Sequence, residues 1–83
     1  MKREWQPGRD VRGAHMYLQI SSDVRVIRRG DPSNQTYEIA AWDQFVEQWA
    51  PVPVHEPVHT ATLAIAAAKR YARQLGQETV GVR

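Results

Sequence analysis

The chain has 83 residues, of which 42% are hydrophobic and 24% charged, and three are tryptophan; it is too short for a second independent core and too apolar for a disordered tail. The absence of cysteine excludes disulfide staples, thiolate metal ligands and cysteine nucleophiles. The net charge of +2 conceals a segregation: residues 1–30 carry seven Lys/Arg and three acids, residues 31–60 five acids and no Lys/Arg, and residues 61–83 four Lys/Arg and one acid.

Two basic ends around an acidic middle argue for matched surfaces, within the protein or with a partner, more than for a uniform polyanion-binding face. A core of this size is only marginally sufficient, so self-association or a protein partner is expected to complete it. The stretch from Met1 to Gly8 has no apolar run behind its charges, and no later run reaches membrane-spanning length. The expected location is the cytoplasm, without membrane contact.

Residues 1–14 mix Pro7, Gly8 and Gly13 with charges and show no period; they read as an irregular basic arm preceding a single small α+β domain over residues 15–83. From Met16 the pattern alternates, with Met16, Leu18 and Ile20 on one face and Tyr17 and Gln19 on the other, which predicts a strand. Ser21-Ser22-Asp23 is a turn, and Val24 to Arg29 is a β-branched second strand in a hairpin with the first. Gly30 to Gln35 is a longer turn, and Thr36 to Ile39 completes the meander. Its predicted core face is Met16, Leu18, Ile20, Val24, Val26, Tyr37 and Ile39.

The period changes at Ala41. Trp42, Phe45, Val46 and Trp49 fall at i, i+3, i+4 and i+7 and predict an amphipathic helix ended by Pro51. Pro51 to Pro57 holds three prolines in seven residues and reads as a stiff, extended connector. A second helix, capped by Thr60 or Thr62, runs through Leu63, Ala64, Ala67, Ala68, Tyr71 and Leu75 to Gly76. Residues 78–82 suggest a short final strand. The expected architecture is therefore α+β: a three-stranded antiparallel meander, two helices and a short last strand.

Three constellations could carry chemistry. His55-Glu56-Pro57-Val58-His59 matches the H-E-x-x-H spacing of zinc proteases, but Pro57 and the preceding Pro-Val-Pro-Val deny it the helix that would hold both imidazoles on one side. On the outer face of the meander, Arg25 and Arg29 stand beside Tyr17, with Arg28 adjoining. Together with the helical ridge Lys69, Arg70 and Arg73 they outline a nucleic-acid interface. The competing explanations are a cross-strand pair between Arg25 and Glu38 and a helix end whose cations complement the macrodipole. The aromatic stripe Trp42, Phe45 and Trp49, with Asp43 and Glu47 on the opposite face, is core that becomes a protein-binding surface if the sheet leaves part of it uncovered.

The run from Val24 to Val46, V-R-V-I-R-R-G-D-P-S-N-Q-T-Y-E-I-A-A-W-D-Q-F-V, resembles the C-terminal half of a family of short actinobacterial proteins of unknown function. The matching positions are Asp31, Pro32, Tyr37, Ile39, Trp42 and Phe45. The resemblance implies association with helix-turn-helix transcription regulators and hence a regulatory protein partner. The expected function is a non-enzymatic regulatory or inhibitory protein acting by protein binding, with nucleic-acid binding as the alternative and zinc hydrolysis a distant third. No cofactor, metal or small-molecule substrate is implied.

Overall fold

Residues 4–77 are described by the computed structural model. The elements are β1 (Gln6–Asp10), β2 (Gly13–Ser21), β3 (Val24–Arg29), β4 (Thr36–Asp43), β5 (Gln48–Pro51) and α1 (Ala61–Gln74). The strands form one antiparallel sheet in the order β1-β2-β3-β4-β5, curled into a half-barrel with the helix after it. Among the described residues no helix is long and apolar enough to cross a membrane.

The alternation along β2, β3 and β4 sends Leu18, Ile20, Val24, Val26 and Ile39 to one face, where all are buried. Helix α1 covers this face with Ala64, Ile65, Ala67, Ala68 and Ala72. Four alanines at the contact let the helix backbone approach the sheet closely, and each fully buried branched side chain beneath contributes roughly 1.5–3 kcal/mol. Val52 and Val54 of the proline connector, and Val58 just after it, pack against the same cluster. The connector is tied at its start by the Val52 N–H donating to the Ile39 carbonyl at 2.8 Å.

The helix carries the expected stop signals. The Thr60 hydroxyl accepts from the Leu63 N–H at 3.2 Å. At the other end Gly76, at φ 76°, donates to the Arg73 carbonyl while Gln77 donates to that of Ala72, which is the Schellman pattern. Gln77 then reaches back to the β2–β3 turn: its Oε1 accepts from Ser21 Oγ at 2.6 Å and its Nε2 donates to Asp23 Oδ2 at 2.9 Å.

The fold class is corrected in its count of elements: five strands and one helix stand where three strands and two helices were expected. The stretch from Gln6 to Asp10 pairs with β2 along its length, Pro7 opposite Met16 and Gly8 opposite His15. Pro7 is tolerated because β1 is an edge strand. A side chain on Gly8 would meet His15 Nε2 at 2.7 Å, so glycine there lets the imidazole lie against the β1 backbone. The predicted helix from Ala41 to Pro51 is the end of β4, a turn and β5. Trp42 and Trp49 are cross-strand partners with rings 5.5 Å apart, edge to face. A spacing of seven suits a helix and equally a hairpin folded midway between its partners. Asp43 decides it, since Oδ1 accepts from the Phe45 N–H at 2.9 Å and closes the turn. The predicted final strand over residues 78–82 lies outside the described residues.

Candidate functional site

The sheet face turned away from α1 is open. Gln19, Arg25, Ile27, Arg29, Glu38, Ala40, Trp42 and Trp49 belong to it by strand alternation and register, and it forms a cleft of about 870 Å³ bounded by residues of β1 at one side and β5 at the other. That volume lies within the range of ligand pockets.

Arg25 lines the cleft from the central strand, β3. Its guanidinium carbon sits 3.8 Å from the Tyr17 ring centroid and 3.6 Å from that of Trp49, so one cation is held between two aromatic faces. Ala40 stands opposite both Arg25 and Pro51 in the ladder. With only a methyl group there, Trp49 reaches Arg25 across the intervening strand. Arg25 Nε donates to Gln19 Oε1 at 3.1 Å. Burial lowers the guanidinium pKa from its ordinary value, and among the described residues no carboxylate pairs with it.

Arg29 is in the opposite situation. Its Nη1 and Nη2 donate to Asp10 Oδ1 and Oδ2 at 3.3 and 2.5 Å, and its Nε donates to Glu38 Oε1 at 2.8 Å. Arg12 also bonds to Glu38. The hydrogen bond from Arg29 is the main reason the Asp10 carboxyl is held below its usual pKa, helped by the Arg12 N–H and opposed by burial. The expected pair between Arg25 and Glu38 is replaced by one between Arg29 and Glu38: the register sets Glu38 opposite Ile27, diagonal to both arginines, and Arg25 is engaged by Gln19, Tyr17 and Trp49 instead.

His15, not singled out as a site residue, lines the same cleft with its side chain 4% exposed. Its Nδ1 has no hydrogen-bond partner among the described residues and lies 3.8 Å from Asp10 Oδ2. Burial lowers its pKa, the Arg29 charge lowers it further, and Asp10 pulls the other way. The alternation that placed Tyr17 and Gln19 on the outer face placed His15 there too, which is the signal that could have found it.

The five residues expected to bind protein lie together on the β4–β5 hairpin, although on strands and a turn instead of a helix. Trp42 is 40% exposed, Phe45 89% and Val46 58%. Asp43 closes the turn, and Glu47 adopts φ 54° within it. The nucleic-acid set is divided. Tyr17, Arg25 and Arg29 share the open sheet face, the two arginines lining the cleft, whereas Arg28 stacks 4.5 Å from the Trp5 ring on the helix side of the sheet. Lys69, Arg70 and Arg73 are on α1, beyond the sheet, and Arg70 is paired with Glu56. His55 and His59 are exposed in the segment before α1; no cluster of three metal-ligating side chains occurs among the described residues. Comparison with protein-family models, curated proteins and solved structures finds no match.

Proposed function

We propose that the chain is a non-enzymatic protein-binding module of regulatory or inhibitory type, which engages its partner through the cleft and the β4–β5 hairpin beside it. The observation that carries this reading is the continuity of exposed Trp42, Phe45 and Val46 with the Tyr17–Arg25–Trp49 stack. Tryptophan, tyrosine and arginine beside exposed apolar surface are the side chains that dominate protein interfaces. An enzymatic reading finds less support: no Ser, Thr, Cys or Lys is among the residues lining the cleft. Of its three carboxylates, Asp10, Glu38 and Glu47, the first two are tied to Arg29.

The nucleic-acid alternative rests on Arg25 beside Tyr17. It is the weaker reading because Arg29 is engaged by carboxylates and because the Arg25 guanidinium covers the ring faces on which bases would stack.

The test is a photo-crosslinking side chain placed at Phe45 or, as control, at the exposed Gln74 of α1, irradiated in cell lysate with and without nuclease. The reading predicts a protein adduct from position 45 that survives nuclease, and none from position 74; an adduct of twice the chain mass identifies a second copy as the partner. No adduct at position 45, or one abolished by nuclease, overturns it.

A further inference from the structure

We infer that Arg25 is the anchor for a single carboxylate borne by an apolar segment of the protein partner, a proposal that rests on the protein-binding reading above. A guanidinium has five N–H donors. In Arg25 one of them is spent on Gln19, and the Tyr17 and Trp49 ring centroids lie 3.8 and 3.6 Å from its central carbon, from strands on opposite sides of β3. What remains is the edge of the fork, held in orientation by stacking and without a carboxylate among the described residues. Such an edge is shaped for bidentate bonding to a carboxylate or phosphate.

The surrounding charge chooses between them. The cleft is lined by four arginines, at positions 9, 12, 25 and 29, and three carboxylates, Asp10, Glu38 and Glu47, leaving one net positive charge. Arg29 and Arg12 are already bonded to Asp10 and Glu38. A monoanion matches this balance, whereas a phosphate dianion or a polyanionic strand brings several charges close to three carboxylates. Ile27, Ala40, Trp42 and Pro51 form the adjoining wall, which suits apolar neighbours on either side of the acidic residue. The stack has already ordered the arginine, so binding loses little rotamer entropy.

The experiment follows the Arg25 Nε–H resonance of the ¹⁵N-labelled chain during titration with the N-acetylated tripeptide amide Leu-Glu-Leu, its Leu-Gln-Leu analogue, inorganic phosphate and a short oligothymidylate. The expected result is a saturable shift with Leu-Glu-Leu, binding about tenfold or more weaker for Leu-Gln-Leu because a charge-assisted bond is lost, and no comparable shift with phosphate or oligothymidylate. Arg25→Lys reduces the affinity for Leu-Glu-Leu toward that for Leu-Gln-Leu. The comparison of peptides on the unaltered chain needs no variant to fold. Equal affinity for the two peptides, no shift with either, or a stronger response to phosphate or oligothymidylate overturns the proposal. Retention of the position 45 adduct in that event leaves the protein-binding reading standing and removes only the carboxylate anchor.

Discussion

Replacing Arg29 by methionine removes the cation that joins β1, β3 and β4 across the cleft floor. Its side chain is 18% exposed, and those of Asp10 and Glu38 are 31% and 24% exposed. Exposed ion pairs contribute about 0.2–1 kcal/mol and breaking a buried one costs about 3–5 kcal/mol, so this intermediate exposure points to a loss of about 1.5–2.5 kcal/mol at pH 7. In a double-mutant cycle with Asp10→Asn, the coupling between the two residues is expected to be about 1 kcal/mol. The sign of its pH dependence follows from Asp10, whose carboxyl is held below its ordinary value chiefly by the Arg29 hydrogen bond. A depressed folded-state pKa contributes stability that is present above the unfolded value, about 4, and is lost as pH falls through the folded value. Urea unfolding followed by circular dichroism at pH 7 and pH 3 measures both. A coupling below about 0.3 kcal/mol at pH 7, within the usual error of additivity, or one as large at pH 3 as at pH 7, refutes the bridge.

Other variants probe the remaining parts of the account. His15 has a lowered pKa, mainly through burial, so stability is expected to fall as pH drops below about 6.5, with a slope of at most about 1.4 kcal/mol per pH unit; His15→Phe flattens that limb in urea titrations between pH 7 and pH 5. Ala68 is fully buried between α1 and the sheet, and Ala68→Leu is expected to cost about 1–3 kcal/mol by overpacking, read as a lowered thermal midpoint. Glu47 holds φ 54°; Glu47→Gly relieves that conformation and is expected to raise stability by about 0.5–1 kcal/mol, measured by the same unfolding assay.

Much of the helix-side face was legible in the sequence, because Leu18, Ile20, Val24, Val26 and Ile39 alternate cleanly and the Thr60 and Gly76 signals bracket α1. The two edge strands were not. In β1, Gln6-Pro7-Gly8-Arg9-Asp10 has neither apolar alternation nor strand propensity; its conformation comes from pairing with β2, a tertiary effect that local pattern does not carry. In β5, the Trp42-to-Trp49 spacing is common to a helix and a hairpin, and an Asx turn at Asp43 settles which forms. The site divides in the same way. Alternation put Tyr17, Arg25 and Arg29 on one face, but Trp49 reaches Arg25 only because the sheet brings β5 over Ala40, and Glu38, diagonal to both arginines, bonds Arg29 while Arg25 is held by Gln19, Tyr17 and Trp49, contacts that composition does not reveal.

The most direct test of the cleft as the binding surface is the affinity of the partner captured at position 45 for two pairs of variants on opposite sides of the sheet. Trp42→Ala and Arg25→Lys alter the cleft, while Lys69→Glu and Arg73→Glu alter the outer side of α1. The account predicts at least a tenfold loss for each cleft variant, in keeping with aromatic and arginine anchors worth about 2 kcal/mol or more, and near-unchanged affinity for the helix variants. Loss of binding in the helix variants with the cleft variants unaffected contradicts it.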